Sequence, residues 1–232
     1  MEYISNKELR EKTFAVFAAI NLTYPVGISK SDEKYFNYIG IKRITNEINN
    51  NILDEEVFMS KWENGLLSRL SERIGHKIIG ATLGLVPNIG GFIVLEESDD
   101  LRLGKAIHFY VSFVFHFYSI QMVSTDKFME YAFNDMDVVG EGIQEIVVSP
   151  TEGYHKELFV AIEDFIKEEF MNARFLPYSI EKLRLKGLQV TYTDEEDCEI
   201  GKAFFHKYMP QNKAVSIIGD VNYGLSELGK DE

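Results

Sequence analysis

The chain has 232 residues, 45% of them hydrophobic, enough to bury a substantial core in one large domain or two small ones. Its 37 Asp and Glu outnumber 24 Lys and Arg and leave a formal charge of −13, which repels a phosphate backbone and argues against general nucleic-acid binding. Cys198 is alone, so no intrachain disulfide is possible, and a reducing, cytoplasmic compartment is expected.

The first third, about residues 5–75, reads as helices. Ser5 and Glu8 form a capping box, and Leu9, Thr13, Val16, Phe17 and Ile20 then share one face. The apolar run from Phe14 to Ile20 is too short, and its leading segment too mixed in charge, for a secretory signal. Tyr24-Pro25-Val26-Gly27 breaks the chain. Ser31, Asp32 and Glu33 open a second helix with Tyr38, Ile41, Ile44 and Ile48 inward, ended by Asn49-Asn50-Asn51. Asp54 caps a third, carrying Val57, Phe58, Trp62, Leu66, Leu70 and Ile74 and stopped by Gly75.

The sheet part, about 77–220, opens with strands at 77–86 and 92–97, joined through a turn at Pro87-Asn88-Ile89-Gly90-Gly91. Between Lys105 and Asp126 lies the stretch that organises the chain. Ile107, Phe109, Val111, Phe113, Phe115 and Phe117 are apolar, while His108, Tyr110, Ser112, Val114, His116 and Tyr118 are mostly amphipathic or polar. Side chains alternate across a strand with period two, so the pattern predicts a central strand over 107–123 with one oily and one mixed face, and a bulge or bend at Ser112 or Ser119. The same alternation argues against a membrane-spanning helix, which the length of this uncharged run would otherwise allow.

Residues 127–133 read as a short helical turn and 143–148 as a strand entered through Gly140-Glu141-Gly142. Ser149-Pro150-Thr151-Glu152 has the form of a capping box with Pro at the first helical position, predicting a long helix over about 150–172. A strand at 187–192, a weak helix at 200–209, a strand at 214–218 and a frayed tail after 222 complete the chain. With no repeat or linker, the expectation is a single α+β domain over 1–232: N-terminal helices on a mostly antiparallel sheet centred on the 107–123 strand.

For chemistry the sequence offers little. His76, His108, His116, His155 and His206 show no metal spacing, and no paired-cysteine, nucleophile-elbow or phosphate-loop motif occurs, so neither metal nor cofactor nor catalytic residue is assigned. Cys198 lies among Glu196, Asp197 and Glu199, whose charge raises a thiol pKa and argues against a hydrolase built on Cys198 and His206. Two groups stand out as contact surfaces. One is the mixed strand face of His108, Tyr110, His116 and Tyr118, a pocket or interface candidate. The other is the acidic run of Asp194, Glu195, Glu196, Asp197 and Glu199, a docking candidate for a basic protein. The leading expectation is a non-enzymatic, acidic protein-interaction module, with the profile of an inhibitor or immunity-type protein that neutralises a toxin. A carrier of an apolar small molecule between sheet and helices, and an enzyme with a dispersed site, are the alternatives.

Overall fold

A computed structural model of the chain describes residues 6–81, 86–97, 103–113, 116–130, 138–205 and 216–228. Helices pack against a seven-stranded, mostly antiparallel sheet, as an α+β fold requires. The strands are β1 (Ile79–Gly80), β2 (Asn88–Glu97), β3 (Leu103–Ser112), β4 (Phe117–Glu130), β5 (Val138–Val147), β6 (Arg174–Phe175) and β7 (Ser216–Ile218). They lie in the order β1-β2-β3-β4-β5-β7, with β6 parallel to the start of β4 and β7 parallel to the end of β5. The helices are α1 (Asn6–Thr23), α2 (Glu33–Asn37), α3 (Ile39–Leu53), α4 (Glu55–Met59), α5 (Ser68–Ile74), α6 (Lys156–Glu169), α7 (Tyr178–Glu181) and α8 (Ile200–Phe204). A π-helical segment, Ser60–Leu67, joins α4 to α5 and turns Trp62 and Leu67 inward.

The expected central strand is two strands. β3 ends at Ser112, and β4, starting at Phe117, returns antiparallel beside it. A straight strand over 107–123 would run roughly 53 Å at about 3.3 Å per residue, against a radius of gyration of roughly 17 Å for a chain this long. His116 makes the reversal with φ of 51°, in the left-handed region that histidine enters more readily than most residues. The turn inverts the alternation. Ile107, Phe109 and Val111 face the same core as Met122, Ile120 and Tyr118, their cross-strand partners, so odd positions meet even ones. Phe113 stands in the turn at 38% exposure instead of on the oily face, and Phe115 lies outside the described residues.

Both sheet faces are covered. On one, α5, the π segment and α6 close over Ile93, Ile107, Phe109 and Ile120. On the other, Tyr110 and Phe117 join a core built by α1, α3, α7, α8 and the segment 185–190. Thr13, Val16 and Ile20 are buried as their helical spacing predicts, and Ser5 lies outside the described residues. The expected second helix is broken at Tyr38, whose ψ of 134° separates α2 from α3, and Asn49-Asn50-Asn51 lies inside α3. Asp54 marks the next boundary and Gly75, left-handed, stops α5.

Other boundaries move for reasons that lie in the partner segments. Gly90 and Gly91 sit inside β2, not in a turn: a Cβ on Gly90 would meet Tyr110 Cδ1 at 2.5 Å, so glycine makes room for the ring across the ladder. Residues 127–130 and 140–142 likewise pair within β4 and β5, so neither the helical turn nor the glycine entry holds there. Ser149 does not cap a helix. Its hydroxyl accepts the Asp220 N–H at 2.8 Å, and α6 starts later, at Lys156, just after the left-handed His155. Residues 187–192 form no strand, because Leu188 bonds back to Leu185 and receives Cys198 instead of a neighbouring strand. Only five residues of the expected helix at 200–209 are helical, with 206–209 outside the described residues. The tail is docked as far as it is described: Leu225 and Leu228 are buried.

Candidate functional site

Two polar clusters interrupt the apolar interior, one on each side of the sheet, and both are built on β4. On the α7 side, Ser119 Oγ donates to Glu181 Oε2 at 3.0 Å, and Gln121 Nε2 donates to Glu181 Oε1 and Oε2 at 3.2 and 3.0 Å. Ser119 and Gln121 share a face because they are two apart on a strand. Glu181 reaches them from the end of α7, and its Cγ lies 2.3 Å from where a Cβ on Gly201 would stand, so only glycine lets α8 approach this closely. Across the ladder Tyr110 is registered with Ser119 and His108 with Gln121. Phe92, His108 and Tyr110 stack in sequence, with ring centroids 5.4 and 6.5 Å apart. Burial, then the charge of Glu181, pushes the Tyr110 phenol up to about 12, so it remains protonated at neutral pH.

On the α6 side, Tyr118 and Tyr223 donate to Glu163 Oε1 and Oε2 at 2.9 and 2.6 Å, and Lys167 Nζ stands 3.0 Å from Oε1. Lys167 also reaches Glu227 at 2.9 Å, tying the C-terminal turn to α6. Burial lowers the Lys167 pKa, but its hydrogen bonds to Glu227 and Glu163 outweigh that and leave it raised. Tyr118 and Tyr223 are both held well above the ordinary phenol range, first by burial, with Glu163 adding to it.

The four residues of the expected mixed face are therefore not brought together. His108 and Tyr110 share the α7 side, Tyr118 points to the opposite core, and His116 stands exposed in the turn, its carbonyl accepting the Arg174 N–H at 2.8 Å. Turn reversal is the cause, since it exchanges the faces of odd and even positions between β3 and β4.

The acidic run is a loop leading into α8. Its base is fixed by Cys198, fully buried, and by Asp197 Oδ1, which accepts the Gly187 N–H at 2.7 Å. Glu195 pairs with Lys202, and Glu199 with Lys182 at 3.0 Å. Asp194 stands in solvent with Lys30 at 3.7 Å, and Glu196 and Asp197 are exposed. Burial first, with Glu195 contributing, raises the Cys198 thiol pKa, which keeps the sulfur protonated.

Two open clefts are described. One, of about 520 Å³, lies between the end of α5 and the start of α6 and is lined by Arg73, His76, Glu152, His155 and Lys156 among others. The second, of about 540 Å³, lies between the π segment, α5 and β1. Among the described residues no group of three or more His, Cys, Asp or Glu side chains is placed to hold a metal ion. Among them, too, no helix is long and apolar enough to cross a membrane. The sequence reading missed Glu163 and Glu181, because nothing local marks a glutamate as buried when its hydrogen-bond partners lie dozens of residues away. Compared with models of protein families, with curated proteins and with solved structures, the chain matches none.

Proposed function

We propose that the chain is a non-enzymatic, acidic interaction module that docks a basic protein partner, in the manner of an inhibitor or immunity-type protein neutralising a toxin. The observation that supports this reading is the placement of its carboxylates. The buried ones, Glu163 and Glu181, are engaged in hydrogen bonds that hold helices to the sheet, while Asp194, Glu196 and Asp197 project from an anchored loop. A loop held by Cys198 and Asp197 loses little freedom on binding, which favours affinity. A formal charge of −13 steers a basic partner toward it. A single buried thiol suits a cytoplasmic setting. The two described clefts are open and lined largely by charged and polar side chains, unlike the mostly apolar lining that suits a carried small molecule.

The test is stopped-flow kinetics against basic partners recovered by pull-down. Changing Asp194, Glu196 and Asp197 to Asn, Gln and Asn slows association by about tenfold or more, within the range of steering, while dissociation moves much less. Raising salt from 0.1 to 1 M, which shortens the Debye length from about 10 to about 3 Å, reproduces the effect in the wild type. A wild-type association rate in the triple variant at low salt removes this loop from the interface. Salt-independent association with every recovered partner ends the reading.

A further inference from the structure

The corner where α3 gives way to α4 carries apolar side chains that the fold leaves uncovered. Asp54, with φ of −125° and ψ of 50°, breaks the helix, and around the break Ile52, Leu53 and Val57 are 44, 84 and 59% exposed. Single exposed leucines are ordinary, but three branched aliphatic side chains within six positions form a patch, and patches rimmed by polar groups mark contact sites. The rim here is predominantly acidic, with the exposed Lys61 one turn beyond Val57. Glu47, Asp54, Glu55 and Glu56 are exposed, and from Ile44 to Ser60 there is no Lys or Arg. Among the described residues none of these four carboxylates has a side-chain hydrogen bond or ion pair, and Asp54 makes no cap bond to α4. This contrasts with α6, where Glu163, Glu168 and Glu169 all meet cations.

We infer that this corner is the docking surface for an amphipathic basic helix of the partner, its apolar stripe set on Ile52, Leu53 and Val57 and its lysines or arginines on the surrounding carboxylates. It rests on the basic-partner reading above and adds to the Asp194–Asp197 loop a second contact surface and the kind of segment that fits it. Charge selects the occupant. A second copy of the chain would bring the same four carboxylates against each other, and an anionic lipid surface would be repelled by them. A helix with an apolar face flanked by cations satisfies both the patch and its rim, and helix-on-surface recognition through spaced apolar anchors is a recurring mode of binding.

The probe is a fluorescently labelled amphipathic helix of leucine and lysine, compared with a scrambled peptide of identical composition that cannot segregate the two residue types. Fluorescence anisotropy at low salt gives affinity, and hydrogen-exchange mass spectrometry of the full chain gives location. The amphipathic peptide binds about tenfold more tightly than the scrambled one and slows exchange across residues 47–58. Leu53→Ser with Val57→Ser loses about tenfold in affinity, with the circular-dichroism melt unchanged because both side chains are exposed. Glu55→Gln with Glu56→Gln weakens binding at low salt and flattens its salt dependence. Equal binding of the two peptides, or protection confined to other segments, overturns the corner and leaves the basic-partner reading intact. So does loss of binding in the Asp194/Glu196/Asp197 variant but not in the Leu53/Val57 variant. If neither lysine peptide binds the wild type at low salt, the corner and the basic-partner reading both fail.

Discussion

Tyr118 and Ser119 are neighbours on β4, and each gives a hydroxyl to a buried glutamate, but on opposite sides of the sheet. On the α6 side Glu163 receives two phenols and an ammonium, with Lys167 shared with Glu227. On the α7 side Glu181 receives a serine hydroxyl and both of its oxygens share the amide of Gln121. Burying a carboxylate costs several kcal/mol unless the charge is paired or well hydrogen-bonded. The two faces meet that requirement with different groups: two phenols and the Lys167 ammonium at Glu163, and at Glu181 the Ser119 hydroxyl and the Gln121 amide among its partners. A buried charge is therefore tolerated in this sheet only where donors already wait for it.

The largest effect follows from placing a carboxylate where none wait. Phe109 is fully buried on the α6 face, so Phe109→Asp introduces an unpaired charge and abolishes folding, read as loss of a cooperative melt. Phe113→Asp, in the solvent-facing turn, changes stability by only about 0.5 kcal/mol. Comparable damage from the two would return Phe113 to the sheet and undo the hairpin.

A second effect acts on both faces at once. Tyr110, on the α7 side, titrates at about 12 when folded, and Tyr118, on the α6 side, is raised further, each first by burial and then by its neighbouring glutamate. An unfolded tyrosine titrates near 10. The neutral phenols therefore contribute stability that is complete below about pH 10 and is lost as pH rises through the folded values. Tyrosinate absorbance and loss of circular dichroism should rise together above about pH 10, and Tyr118→Phe should move that transition to higher pH. Gradual titration near pH 10 with the circular dichroism intact would show that these phenols are open to solvent.

The comparison itself is sharpened by replacing each glutamate with its amide. In Glu163→Gln the amide nitrogen faces a donor whichever way it is turned, because Oε1 serves Tyr118 and Lys167 and Oε2 serves Tyr223. Leaving one donor unsatisfied costs roughly 1–3 kcal/mol. In Glu181→Gln the carbonyl can take the Oε2 position and keep the Ser119 bond and one Gln121 bond, so of these three bonds the 3.2 Å one is lost. Chemical denaturation of the two variants ranks them. A larger loss at Glu181 would mean that its charge, not its shape, holds α7 to the sheet.

What the sequence disclosed and what it concealed divide along the same physical line. Helical stripes such as Val16 and Ile20, the stop at Gly75 and the alternation within β3 depend on residues a few positions apart, and they are legible. The hairpin turn is not, since 113–116 holds no Gly, Pro or Asn-Gly pair and its aromatic residues continue the strand pattern. Gly90-Gly91 reads as a turn by composition, yet its purpose is set by the Tyr110 and Phe109 rings on the next strand. Ser149 carries a capping signature whose hydroxyl is taken by Asp220. The buried glutamates are hidden for the same reason: Glu181 meets Ser119 and Gln121, which lie 62 and 60 positions earlier. The acidic loop was visible, but the cations that pair part of it, Lys182 and Lys30, come from outside the run.

The smallest effect separates the buried Glu163 on α6 from its exposed neighbour. Glu168, on the solvent side of the same helix, receives a two-pronged hydrogen bond from Arg73 that links α5 to α6. That bond holds the Glu168 carboxyl below its usual range, so the sign of its contribution is definite: stability present above the unfolded pKa and lost as pH falls through the folded one. Its size is another matter, because both partners are open to water, which screens the charges and competes for the same hydrogen bonds. Glu168→Gln should therefore leave the Tm where it is at neutral pH and at moderate salt, while Glu163→Gln, five residues away, lowers it. An equal drop in the two variants would mean that the α5–α6 contact depends on its surface pairs, and that the ion pair beneath it is no more than one bond among several.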